Sequence, residues 1–218
     1  MLRNKPKGIL FDWDNTLADT WPIIHESLAK TFIAMGETPW TLEETKIRVH
    51  KSLRDSFPEL FGHRWEEAKD LYMNNFRHCH LEKIRPLPGA HEMLKAIHHF
   101  PEVYLAVVSN KTGEFLRKEV EFLGWKDYFK KVVGALDAKR DKPAPDPVHL
   151  SLEGSGLEVG PDIWFIGDSL TDMQTAYATG CIPIFYGDGD HTGDEYKDVP
   201  PAVHVQHHQD IIEAIRHW

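Results

Sequence analysis

The chain of 218 residues carries 34 acidic against 25 basic side chains, a formal charge of −9, which excludes a surface built mainly to hold nucleic acid or anionic lipid. A hydrophobic fraction of 41% with 27% charged residues is too apolar for a disordered chain, and no stretch approaches the ~20 apolar residues of a membrane span. At this length roughly 70% of the unfolded surface can be buried, enough for one sizeable core and a small accessory unit.

The basic start, Met1 to Lys7, leads into an apolar run of only Gly8 to Phe11, too short for the core of a signal peptide; it reads as the first buried strand. Trp21 to Met35 follows with helical spacing of Ile24, Leu28 and Phe32, and Leu42 to Leu53 and Trp65 to Cys79 continue the pattern. Strands return at Val103 to Val108, Lys131 to Gly134, Ile163 to Ile166, Ile184 to Tyr186 and Val203 to Val205, most of them separated by helix-length segments. Strands alternating with helices predict an α/β fold: a Rossmann-like, mostly parallel sheet with helices on both faces. The strand-free interval predicts an all-helical cap over 19–86 inserted into a core of 1–18 and 87–218, with hinges near Ala18 to Trp21 and Arg85 to Gly89. Cys79 and Cys181 form no CxxC and no regular framework, so a reduced, cytoplasmic compartment is expected. With no HExxH in the chain, His78, His80, His98, His99, His207 and His208 read as solvated surface histidines.

Four clusters fall at or just beyond predicted strand ends, where open parallel sheets place their ligands. Asp12-Trp13-Asp14-Asn15-Thr16 follows the first strand, and alternation along extended chain puts Asp12 and Asp14 on one side. Two carboxylates sharing a site need a cation or a shared proton. Gly167-Asp168-Ser169-Leu170-Thr171-Asp172 adds two acids from another strand end, the oxygen donors that suit magnesium; read alone it is equally a helix N-cap. Ser109-Asn110 offers a hydroxyl and an amide to phosphate oxygens, and Lys142-Pro143-Ala144-Pro145 holds a cation on a stiff loop, with Lys139 and Arg140 as nearby alternatives.

Asp12-x-Asp14-x-Thr16, Ser109, Lys142 and Asp168-x-x-x-Asp172, in this order and with a helical insert after the first motif, resemble the haloacid dehalogenase superfamily in its phosphoglycolate-phosphatase-like branch. The resemblance covers nearly the whole chain. It implies a magnesium-dependent phosphatase acting on a small phosphorylated metabolite, with Asp12 as nucleophile and Asp14 as general acid and base. It further implies Asp12, the backbone carbonyl of Asp14, Asp168 and Asp172 as the magnesium site, and Thr16, Ser109 and Lys142 as the groups that bind the phosphoryl oxygens. Specificity is then expected in the cap segment with His50, Lys51, Arg54 and Asp55, where His50 and Arg54 are the candidate substrate contacts; His50 stands where the family pattern has glycine.

Three rivals compete. A phosphotransferase or sugar-phosphate mutase would use the same aspartate and pass the group to a sugar. A serine esterase would rest on Gly167-Asp168-Ser169-Leu170 with Asp188 and His191, but leaves Asp12, Asp14 and Lys142 without a role. A non-catalytic binding protein would have no use for the full carboxylate set. Gly187 to Gly193 imitates a calcium loop, yet its twelfth position is Val199 and not glutamate; a surface loop is expected there.

Overall fold

The computed structural model describes residues 5–49 and 51–217. Its central sheet has six parallel strands, β1 (Gly8–Phe11), β4 (Tyr104–Thr112), β5 (Lys131–Ala135), β6 (Ile163–Gly167), β7 (Ile182–Tyr186) and β8 (Val203–Val205), in the order β5-β4-β1-β6-β7-β8. The central strands β1 and β6 are buried on both faces, as parallel sheets require, and burial falls away toward the edge strands β5 and β8. Ile9, Phe11, Val107, Trp164 and Ile166 point to one face, with α5 (Ala90–His98), α6 (Gly113–Phe122) and α9 (His208–Ile215). Leu10, Ala106, Val108 and Phe165 point to the other, toward α7 (Asp146–Leu152) and α8 (Leu170–Thr179).

Going outward from β1, the chain order rises on both sides, through β4 and β5 on one and β6, β7 and β8 on the other, so the topology switches between β1 and β6. Their register, Phe11 opposite Ile166, brings Asp12 and Asp168 just past the same edge of the sheet, at the crevice where doubly wound folds bind ligands.

Between β1 and β4 the chain leaves through β2 (Ala18–Asp19) and returns through β3 (Arg85–Pro86), which pair with each other antiparallel. What lies between is helical: α1 (Trp21–Met35), α2 (Leu42–Arg48), α3 (Leu53–Phe61) and α4 (Trp65–Lys83), with a short 3₁₀ turn before α4. The sequence reading ran one helix from Leu42 to Leu53. The structure instead ends α2 at Arg48, because Val49 turns extended, and Ser52 (ψ 162) starts a separate helix. Pro58 inside α3 obscures its helical pattern.

Two of the histidines expected on the surface are inside: His80 is 2% exposed and His208 fully buried. Burial of a lone polar residue is decided by what packs opposite it, which local sequence does not carry. His78, His98, His99 and His207 are exposed as expected. Both cysteines are buried and unpaired. Among the described residues no helix is long and apolar enough to cross a membrane.

Candidate active site

β1 delivers Asp12 while still in the ladder, its N–H bonded to Ile166 O at 2.8 Å. The chain then wraps around one carbonyl: Trp13 O accepts from Thr16, Leu17 and Ala18 N–H at 3.3, 3.0 and 3.2 Å. Asn15 takes a left-handed conformation (φ 58), which asparagine tolerates better than most residues. The loop leaves the carboxylates of Asp12 and Asp14 facing the sheet edge and drives Trp13 into the core, where it is 0% exposed. Thr16 is also buried, and its Oγ1 has no partner among the described residues, an orphan that a ligand oxygen would satisfy.

On β6, Gly167 and Asp168 lead into α8, which Ser169 caps by accepting from Asp172 N–H. Asp172 reciprocates: its Oδ2 accepts from Ser169 N–H at 3.0 Å and Oγ–H at 2.6 Å, which leaves Oδ1 for Lys142 Nζ at 2.6 Å. The motif is therefore a helix cap and part of the site at once. A Cβ on Gly167 would stand 2.3 Å from Asp172 Cγ, so only glycine lets that carboxylate lie against the strand end.

Lys142, 3% exposed, also donates to Asp12 Oδ1 at 2.8 Å. Its backbone is clamped by Asn110, whose Nδ2 donates to Lys142 O and whose Oδ1 accepts from Lys142 N–H, both at 3.0 Å. The amide expected to face phosphate is thus engaged in fixing the lysine loop. Ser109 precedes it in the irregular stretch where the β4–β5 register shifts, with its Oγ accepting from Lys111 N–H at 3.2 Å. Of the alternative cations, Arg140 pairs with Asp146 at 2.7 Å and Lys139 is exposed.

Asp12, Asp168 and Asp172 place carboxylate oxygens within 4.8 Å of one another. At that separation each ionised pair repels by about 3 kcal/mol at an effective dielectric of about 20, and among the described residues the ammonium that reaches the trio is that of Lys142. Burial pushes Asp12 up to about 6, with Asp172 and Asp14 adding to the rise and Lys142 opposing it. Asp168 is pushed well above the ordinary carboxylate range by burial and by its neighbours Asp172 and Asp12. Burial alone would pull Lys142 down, but Asp12 and Asp172 hold it above the usual lysine range. An all-oxygen trio with this excess of negative charge fits a hard divalent cation such as magnesium. The Asp14 carboxylate stands outside the trio, with Oδ1 held by Lys111 Nζ at 2.6 Å.

Other expected residues fall elsewhere. His50 lies outside the described residues. Arg54, on α3, reaches across to the buried Asp141 on the loop before Lys142, Nη2 to Oδ1 at 2.7 Å. Ser169 is occupied with Asp172 and His191 Nε2 lies 3.0 Å from His204 Nδ1, so no serine–histidine pair forms. Asp188 and Asp190 are exposed on a loop after β7, where Asp190 accepts from Thr192 N–H and Oγ1–H.

Lys111 and Glu119 go unremarked in the sequence, and His80 and His208, expected on the surface, turn out to be buried. Lys111 sits two residues after Ser109, on the same side of an extended chain, a signal that was present. His208 Nε2–H donates to Thr16 O at 2.8 Å while Nδ1 faces both Tyr186 Oη and Pro88 O at 3.0 Å. Donating from Nε2, a neutral ring accepts the tyrosine hydroxyl at Nδ1, and burial lowers its pKa against the opposing pull of the Pro88 and Thr16 carbonyls.

Comparison with known proteins agrees with this geometry. The profile of haloacid dehalogenase-like hydrolases matches residues 9–185. A phosphoglycolate phosphatase from Pectobacterium atrosepticum is 28% identical over 97% of this chain and 93% of its own. A pyrophosphatase, PpaX, from Halalkalibacterium halodurans is 25% identical over 95% of each. The crystal structure of a predicted phosphatase from Clostridium acetobutylicum, 22% identical, shares the fold with a TM-score of 0.84 over 99% of this chain and 100% of that one. With carboxylates of two neighbouring strand ends gathered beside a buried lysine, and with matches that span almost its full length, this chain belongs to the haloacid dehalogenase-like hydrolase family.

Proposed function

We propose that the protein is a magnesium-dependent phosphatase that hydrolyses a small phosphomonoester through an aspartyl phosphate on Asp12. The observation that carries this reading is the Lys142 ammonium bridging Asp12 and Asp172, with Asp168 in the same cluster: one buried cation beside a nucleophile-sized carboxylate and a site short of positive charge.

Asp12 attacks phosphorus, the bond to the leaving oxygen breaks, and Asp14 supplies that oxygen with a proton. Lys111 occupies Oδ1 of Asp14, so Oδ2 carries the proton. Asp14 then takes a proton from the water that attacks the aspartyl phosphate, which releases inorganic phosphate and restores Asp12. Thr16, through its orphan hydroxyl, with Ser109 and Lys142, binds the oxygens of the group in transit. Asp12, Asp168, Asp172 and the backbone carbonyl of Asp14 would hold magnesium, which when bound would neutralise phosphoryl charge.

The helical insert acts as a cap over this site, and the different activities of the two named relatives, one a phosphoglycolate phosphatase and one a pyrophosphatase, support a reading in which the cap and not the shared core sets specificity. Arg54 and His50 are its candidate contacts to the rest of the substrate. The test is phosphate release from a panel of phosphorylated metabolites that begins with 2-phosphoglycolate and pyrophosphate. Turnover is expected with magnesium, none with EDTA, and none in Asp12→Asn. Activity in that variant, or isomerised sugar phosphate in place of free phosphate, would sink the proposal.

A further inference from the structure

One fully buried acid has no part in the chemistry above. Glu119 lies on α6 among Phe115, Leu116 and Val120 and is 0% exposed. An ionised carboxylate in such a place costs several kcal/mol unless donors surround it. Three do. Its Oε2 accepts from Trp13 Nε1–H at 2.7 Å and lies 3.3 Å from Lys111 Nζ. Its Oε1 accepts from His80 Nδ1–H at 2.9 Å. Burial pushes Glu119 up, but Lys111 and the hydrogen bonds from His80 and Trp13 more than offset it and hold the group below the ordinary glutamate range.

The donors come from three places that meet at Glu119, two of them beside Asp14. Trp13 is its neighbour in the chain. Lys111 binds its Oδ1 at 2.6 Å and lies over the Phe76 ring, 4.6 Å from the centroid. Phe76 and His80 sit one turn apart on α4 of the insert, and both rings pack on Phe115 of α6, each 5.0 Å between centroids. An ammonium on a four-carbon stem has little intrinsic preference for one orientation; held between Asp14 and Glu119 it has one.

We propose that Glu119 is a positioning residue for Asp14. It grips the loop through Trp13 and aims Lys111 at the Asp14 carboxylate, and it is complete only when α4 is seated on α6, because His80 is its third donor. The inference rests on the reading of Asp14 as the general acid and base.

The experiment compares Glu119→Gln, His80→Phe and Asp14→Asn with p-nitrophenyl phosphate and with an alkyl phosphate, under magnesium. A nitrophenolate leaves without a proton, whereas an alkoxide needs one. Glu119→Gln is expected to lower kcat on the alkyl ester by about tenfold or more, with KM within about twofold. The first-turnover burst of nitrophenolate should keep its rate. His80→Phe keeps a ring between Phe76 and Phe115 and removes only the donor, so it should give the same pattern in milder form and carries the test if Glu119→Gln does not fold. Asp14→Asn separates the two layers. If it shows no such selectivity, the reading of Asp14 fails. If it does, while Glu119→Gln and His80→Phe slow burst and turnover equally or slow neither, the positioning role is overturned and the reading of Asp14 stands.

Discussion

Adding magnesium to the cation-free protein should stabilise it by an amount that grows with pH. Folding lifts Asp12 from an ordinary 3.8 to about 6, chiefly by burial, and lifts Asp168 in the same direction. An acid raised on folding holds its proton more tightly in the native state, so its contribution is favourable at low pH. That contribution is lost as pH rises from the unfolded value through the native one, and the loss levels off above it. For Asp12 alone a rise of about two units amounts to roughly 3 kcal/mol, and Asp168 adds to it. A divalent cation favours the ionised forms and reverses this loss. At about a hundred times Kd it contributes about 2.7 kcal/mol, or about 5 to 10 °C in Tm for a chain of this size. Thermal unfolding followed through the seven tryptophans, with magnesium or with EDTA, measures the gap. It should be wide at about pH 7.5 and narrow at about pH 4.5, well below the native value of Asp12. Asp168→Asn should close it throughout. A gap independent of pH, or one that survives Asp168→Asn, would refute the assignment of the trio as a cation site.

Two further perturbations probe the scaffold. Gly167→Ala places a methyl 2.3 Å from Asp172 Cγ and should cost about 1–3 kcal/mol in denaturant unfolding while weakening magnesium binding; unchanged binding would count against Asp172 as part of the site. His208 is buried neutral with a lowered pKa, so its stabilisation is present above the ordinary value of 6.5 and declines as pH falls through and below it. His208→Gln should cost about 1–3 kcal/mol at neutral pH, by leaving the Thr16 carbonyl or the Tyr186 hydroxyl without its partner. It should also flatten the acid side of the stability curve, and urea titrations at neutral and mildly acidic pH would detect a failure of either effect.

Much of the site was legible because its residues are local to strand ends. Asp12 and Asp168 follow apolar strands, Asp172 lies in the first turn of the helix after Asp168, and Lys142 opens a proline-stiffened loop; the parallel sheet gathers such ends by construction. What was hidden is what depends on partners far along the chain. Glu119 stands four residues after Phe115 on the buried face of α6, a visible oddity, but nothing local says that Trp13, Lys111 and His80 meet there. His80 and His208 look like any polar helical histidine until α6 and the Thr16 loop are set opposite them. Asn110 was read as a ligand group because its neighbour Ser109 invites that reading; its geometry commits both amide atoms to the Lys142 backbone. The break between α2 and α3 was missed because Val49 and Ser52 end and start helices by backbone conformation, a weak signal inside a helical stretch.

The pairing of Ala18 and Asp19 with Pro86 and Arg85 has a consequence for how such proteins diversify. Seen from the sheet, the whole helical segment hangs from the ends of a two-stranded ribbon, as the tip of a hairpin does, and loop length at such a point changes closure entropy only slowly. A segment of different size or shape could therefore be exchanged between relatives at this ribbon without re-registering any of the six central strands. The requirement on the newcomer is narrow: it must bring an apolar face to cover Phe115 and a donor for Glu119.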